Sequence, residues 1–328
     1  MFNKIVKTTV ALSLVATVAF GANSTRFNVI EGDATAKYID LIENDLNGIH
    51  FNVSEARDRV DSVYASRYGN VEDPEYDKDW TKNLDNLSFF SISNDKALHP
   101  LLKVAPEVAG FAPFNQLIYK KATENKTYVG HLDPNTMLDI VGTKDANVRK
   151  AFVAMFDPLD DLVSKRLAGK VETNTFAALP AKTMMNFEVK FERPDDLSEF
   201  IDSFQGKFET AFEDKKYIIA GYKNFKERYE EDLGMEFAEY DAFFVYSLCH
   251  FTFSYNVFNK GRPDAGVFAP CSMYAYVKKD TNTLVIGMPT LANWTAIMDI
   301  KDPVKQEWVK KIDAEIISIM KSIGAKEI

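Results

Sequence analysis

Cys249 and Cys271 are the only cysteines in the chain, and His250 directly follows the first of them. Thiolate and imidazole are the donors that copper(I) and zinc prefer. Cys249, His250 and Cys271, with Met273 or Met288 as a thioether donor, therefore form a candidate soft-metal set. The spacing departs from the close C-x-x-C pairs of standard zinc sites. Two plainer readings compete with it. A disulfide between Cys249 and Cys271 would close a loop of 22 residues, for which chain entropy gives on the order of 3 kcal/mol. Alternatively, both thiols stay unpaired and pack as small hydrophobes. A redox-active pair is the weakest of these readings, because no C-x-x-C is present to depress a thiol pKa.

Other chemistry finds little footing. His50, His99, His131 and His250 form no H-E-x-x-H or H-x-x-x-H pair, and no C-x-x-C-H is present to attach haem. A glycine-rich phosphate loop, a G-x-S-x-G elbow and a deaminase-type zinc signature are all lacking, so no cofactor is called for. Asp77 and Asp79 flank Lys78 without the glycine turn and final Glu of a calcium loop. Asp157, Asp160 and Asp161 suit the positive end of a helix better than acid–base work. Around Cys249 crowd Phe243, Phe244, Tyr246, Phe251, Phe253, Tyr255 and Phe258. Core packing is the default for such residues. The functional reading is an apolar groove between sheet and helix, with Tyr246, Phe251, Met273, Tyr274 and Met288 as lining.

The N-terminus points to a compartment. Lys4 and Lys7 precede an apolar stretch from Thr8 to Phe20, and Gly21-Ala22-Asn23-Ser24 supplies small residues. This is the pattern of a secretory signal peptide, assigned here to residues 1–24, and it is too short for a comfortable membrane span. Cleavage sites at Ala19-Phe20-Gly21 and Ala22-Asn23-Ser24 both fit. The expected product is a periplasmic or otherwise secreted soluble protein. The formal charge of −9 becomes more negative once the two leader lysines are removed. Such acidity argues against nucleic acid and anionic membrane surfaces as partners.

The elements that must position these residues are written twice. Phe111-Ala112-Pro113 recurs as Phe268-Ala269-Pro270, and the offset then runs on without a gap. Tyr119 falls on Tyr276, Gly130 on Gly287, and Lys144-Asp145 on Lys301-Asp302. Self-similarity of this kind sets the folding unit. The periodicity predicts an opening strand in each copy, Phe27–Ile30 and Phe187–Lys190, then an amphipathic helix beginning near Asp33 and near Asp195. A short strand and a charged helix follow, for example at Tyr217–Ala220 and Phe225–Leu233. Apolar runs at Leu87–Ile92 and Ala242–Leu248 read as buried strands, each leading to the FAP element and a hairpin. Long helices, Val148–Leu167 and Val304–Ile323, close the copies at Gly169 and Gly324. The expected architecture is α+β, two tandem copies of a helix-covered, mostly antiparallel sheet over 25–169 and 187–328, with 170–186 as linker. The copies could pair as an intramolecular pseudo-dimer.

The second copy resembles the domain-of-unknown-function 302 family in three features: Cys249 at the end of a central strand, Pro270-Cys271 opening the next, and the turn Gly287-Met288-Pro289. The resemblance covers roughly Phe187–Ile323 and, more weakly, Phe27–Leu167. It implies a compact α+β sandwich that tends towards tandem copies or dimers, and it names no reaction. Phe251 and Ser272 replace the family's usual Pro and Arg. The first copy has Phe114 in place of Cys271 and, counted from its Phe-Phe pair, Asp95 opposite Cys249. The functional expectation is a non-catalytic periplasmic binding or interaction module, holding a small ligand or a protein partner near the cysteines or between the copies. The alternative is a thiol-redox or copper/zinc protein using Cys249 and Cys271.

Overall fold

The computed structural model describes residues 21–328, so the leader residues Lys4, Lys7 and Thr8–Phe20 lie outside the described residues. Twelve strands are present among the described residues. The first copy supplies β1 (Ala22–Glu31), β2 (Asn52–Arg57), β3 (Leu84–Ser93), β4 (Phe114–Lys121), β5 (Lys126–Leu132) and β6 (Lys170–Phe176). The second supplies β7 (Met184–Lys190), β8 (Tyr217–Asn224), β9 (Tyr240–His250), β10 (Cys271–Lys278), β11 (Thr283–Pro289) and β12 (Lys326–Glu327). They form two six-stranded sheets, β2-β3-β4-β5-β1-β6 and β8-β9-β10-β11-β7-β12. Every pairing is antiparallel. The two orders match strand for strand, so one topology is repeated.

The registers make the equivalence residue-specific. Phe114 pairs with Ile92, and Cys271 with Leu248. Ser93 is therefore the first-copy counterpart of Cys249, and Asp95, which the Phe-Phe count suggested, corresponds instead to Phe251. The edge strands agree, since each carries a register shift, at Val53/Glu55 and at Ile219/Gly221. Through that match Arg57, opposite Phe89, is equivalent to Lys223, opposite Val245.

Local chemistry explains most elements. The duplicated Lys-Asp pairs are helix starts: Asp145 accepts from the amides of Asn147 and Val148, and Asp302 from those of Val304 and Lys305. Such caps satisfy first-turn donors that have no partner within the helix. Asp33 and Asp195 were expected to cap as well. Neither does so at the expected place: Asp33 accepts from the Thr35 amide, but the N-cap of the helix Thr35–Asn44 is Ala34, and Asp196 rather than Asp195 caps the second helix, Leu197–Glu213. The predicted helix Val148–Leu167 is two helices, Ala146–Ala154 and Asp157–Leu167, because Pro158 starts a new turn and has no amide to continue the first. The expected linker is structured in its first part: residues 170–176 form edge strand β6, paired along β1.

One core cluster spans both copies. The run Tyr240–His250 is apolar on both faces because one face meets helices of its own copy and the other meets the first copy. On the helix side Phe208 stacks on Tyr246. On the other side the contacts are reciprocal. The turn Pro263–Phe268 packs on β4, and its counterpart Pro106–Phe111 packs on β10. Asn115 donates to the Gly266 carbonyl, and its equivalent Ser272 donates to that of Pro113. Arg57 donates to the Ala220 carbonyl, and Lys223 to the Ser54 hydroxyl. These exchanges bring edge strands β2 and β8 together. No helix among the described residues is long and apolar enough to cross a membrane.

Candidate functional site

Strand pairing decides where the two thiols point. Cys271 lies opposite Leu248, and residues directly opposite one another share a face. Cys271 therefore faces the helices of its own copy. Cys249, one residue further along, projects to the opposite face, towards the first copy. Both cysteines are free and lie on opposite faces, which accords with the unpaired-thiol reading and not with the disulfide. Burial pushes the Cys249 thiol up to about 11, although the Ser254 hydroxyl and Arg57 act to lower it. Burial raises Cys271 further, with Cys249 and Asp313 adding to the effect. Neither is an activated thiolate at neutral pH.

The candidate metal set does not converge. Among the described residues no three His, Cys, Asp or Glu side chains could hold a metal ion together. His250 is held elsewhere: its Nδ1 accepts from the Phe253 amide as a helix cap, and its ring meets Tyr217 edge-on. Burial lowers its pKa, which keeps the imidazole neutral. The expected groove residues also separate. Tyr246, Met273, Tyr274 and Met288 are buried in the core. Beside Cys271 and Met288 lies a cavity of about 20 Å³, room for roughly one water.

Cys249 borders that small cavity and also, with Phe251, a separate hollow of about 390 Å³ at the seam between copies. The first copy contributes Ala56, Arg57 and Asp58 from the end of β2, Val60, Val63 and Tyr64 from the helix Val60–Tyr68, and Phe89. The second contributes Ile218 and Ala220 from β8, Cys249, and Phe251, Ser254, Phe258, Ala269 and Pro270 beyond it. Its walls are mostly apolar. The hydroxyl of Tyr64 donates to Ser254 at 2.8 Å and ties the walls together. Val63 and Ile218 are 44% and 41% exposed, so unburied apolar surface collects at the mouth. A second hollow, of about 530 Å³ beneath the helix Thr35–Asn44, shares Ala56 and Asp58 with the first. A third hollow, of about 560 Å³, has mixed polar and apolar walls, with Asp79, Lys121, Glu124 and Lys260 beside Leu84, Tyr255 and Phe258. Those charges are solvated, and nothing there converges on a point.

Arg57 stands where the seam hollow meets β8. Its Nη2 pairs with Glu55 and donates to Ala220. Glu55 leans onto Gly221, where any Cβ would collide with its carboxylate. At the equivalent place on the other side of the seam the space is closed. Lys223 fills it, reaching Ser93 at 2.8 Å and Asp95 at 2.5 Å, while Arg228 meets the other Asp95 oxygen at 2.9 Å. Sequence reading found Cys249 and Phe251 but missed Arg57, Val60, Val63 and Tyr64, which no motif marks. It also missed a buried polar group in the first copy, where Asp160 meets both His131 and Arg26.

Fold and site together define an internally duplicated α+β protein with an open apolar hollow and a closed ionic site along its seam. Residues 78–163, about a quarter of the chain, match the family described as domain of unknown function DUF302. The match falls in the first copy, which lacks cysteines, rather than in the second, where the resemblance had seemed fuller. Among solved structures the chain is similar to the uncharacterized conserved protein DUF302 from Bacillus stearothermophilus, at 18% identity and a TM-score of 0.35, covering 43% of this chain and 98% of that one. No curated protein matches the chain.

Proposed function

We propose that this is an exported, non-catalytic binding module that holds a small apolar ligand in the seam hollow beside Cys249. The observation that carries the reading is the hollow itself. A space of about 390 Å³ with apolar walls and few polar groups falls in the size range of small-molecule sites, about 300–1,000 Å³. Unpaired thiols on opposite faces of β9 and β10, with raised pKa values, weigh against the thiol-redox and soft-metal alternative. Export rests on the leader pattern. Of the two cleavage sites, the one after Gly21 suits the fold better, because Ser24 is buried and Asn23 accepts from Thr136 within β1.

Titration with the neutral apolar fluorophore N-phenyl-1-naphthylamine tests the binding role. One saturable site per chain is expected, lost in Val63→Trp, which places an indole in the mouth. No saturable binding, or binding unaffected by that substitution, would overturn the proposal.

A further inference from the structure

The repeated fold contains its own guide to what the hollow accepts. Arg57 and Lys223 are equivalent cations on the two edge strands, as are Ser93 and Cys249, and Asp95 and Phe251, on the central strands and the helices that follow them. In the closed site the cation has a built-in anion. Lys223 is 12% exposed and Asp95 is 2% exposed, with Arg228 on the second carboxylate oxygen. In the open site Phe251 stands where that carboxylate would be. Arg57 is left 51% exposed. Both of its contacts, to Glu55 and to Ala220, use Nη2, so Nη1 and Nε have no protein acceptor among the described residues.

Among the described residues Arg57 is also the only cation lining this hollow. Asp58, the one acidic residue in the lining, already accepts from Ser88 at 2.7 Å. The remaining walls, Val60, Val63, Phe89, Ile218, Phe251 and Phe258, are hydrocarbon and aromatic. A guanidinium with free donors at the edge of an apolar space suits a carboxylate, which it can meet with two parallel hydrogen bonds.

We infer that the hollow takes an apolar molecule ending in a carboxylate, whose head sits against Arg57 as Asp95 sits against Lys223. The inference rests on the binding role proposed above and adds the ligand class. The tail lies along Val60, Val63 and Phe258, and Cys249 is a neutral wall group rather than a reactant.

The test is displacement of bound N-phenyl-1-naphthylamine by decanoate and by decanol, which share a chain length and differ at the head, at pH 8. Decanoate should compete at least about tenfold better, as expected for one charge-assisted contact. In Arg57→Gln, and in Glu55→Gln/Arg57→Gln, which leaves no unpaired acid behind, the decanoate-to-decanol ratio should fall to about one. Equal competition by both in the native protein would overturn the carboxylate assignment while leaving the apolar site intact. Failure of the fluorophore to bind at all would overturn the site itself. A decanoate advantage that survives in both variants would place the head away from Arg57 and refute the inference.

Discussion

Removal of the Asp95 carboxylate should destabilise the pairing of the two copies more than any surface ion pair could. Asp95 is 2% exposed and accepts from Lys223, Arg228 and Ser93. Lys223 is 12% exposed. Asp95→Ala strands that ammonium group in a water-poor seam, a situation worth about 3–5 kcal/mol. Arg228 suffers less, because Asp232 still pairs with it. Replacing both partners by apolar residues, Asp95→Leu with Lys223→Met, removes the stranded charge and should restore most of the loss. Urea unfolding followed by circular dichroism measures both. Burial on its own raises the Asp95 carboxyl, but Lys223, Arg228 and Ser93 together hold it below the usual range. Its contribution is therefore present above the unfolded value, about pH 3.9, and disappears as pH falls through the lower folded value. The gap between native and Asp95→Ala should be constant from pH 5 to 8 and shrink below pH 4. A single-substitution loss under about 1 kcal/mol, or a double variant weaker than the single, would refute the reasoning.

Three further expectations follow from the same geometry. Gly221→Ala should cost less than about 1 kcal/mol, because the added methyl meets only the Glu55 carboxylate, the far end of a flexible side chain that can swing aside; a loss above about 2 kcal/mol in urea unfolding would show that the carboxylate is held in place. Intact-mass labelling with iodoacetamide should find two reducible-agent-independent free thiols once the chain is unfolded. In the folded chain Cys249 should react slowly at pH 7.5 and faster towards pH 11, with Cys271 slower throughout, because burial raises both thiols; a faster Cys271 would contradict the assignment of faces. Burial raises Asp313 from 3.8 to about 6, against the amides of Leu291 and Ala292 that act to lower it. A raised folded value makes the charged form a liability above pH 6 that is relieved as pH falls towards 4. The stability of the native protein relative to Asp313→Asn should therefore improve by about 1–2 kcal/mol over that interval, and a difference independent of pH would count against it.

Much of the fold was legible because it is local. The FAP elements, the buried runs at Leu87–Ile92 and Ala242–Leu248, and the closing helix of the second copy all lie where the residues suggested. Failures trace to interactions between distant segments. Asp95 was set opposite Cys249 by aligning two Phe-Phe pairs, whereas the hydrogen-bond register slides that alignment by two residues and selects Ser93. Lys170–Phe176 looked like a linker because an edge strand with six exposed residues shows no apolar alternation. The disulfide depended on which face each cysteine occupies, and a one-residue change in register reverses a face. Arg57 and Val63 acquire a role only once β2 and β8 meet, and no spacing in the chain encodes that meeting.

The central claim, that a ligand occupies the seam beside Cys249, is tested most directly by alkylation of that thiol at pH 9 with and without saturating N-phenyl-1-naphthylamine, with sites assigned by peptide mass spectrometry. The expected result is slower labelling of Cys249 in the presence of the fluorophore. Unchanged labelling of Cys249 at saturation would contradict the claim.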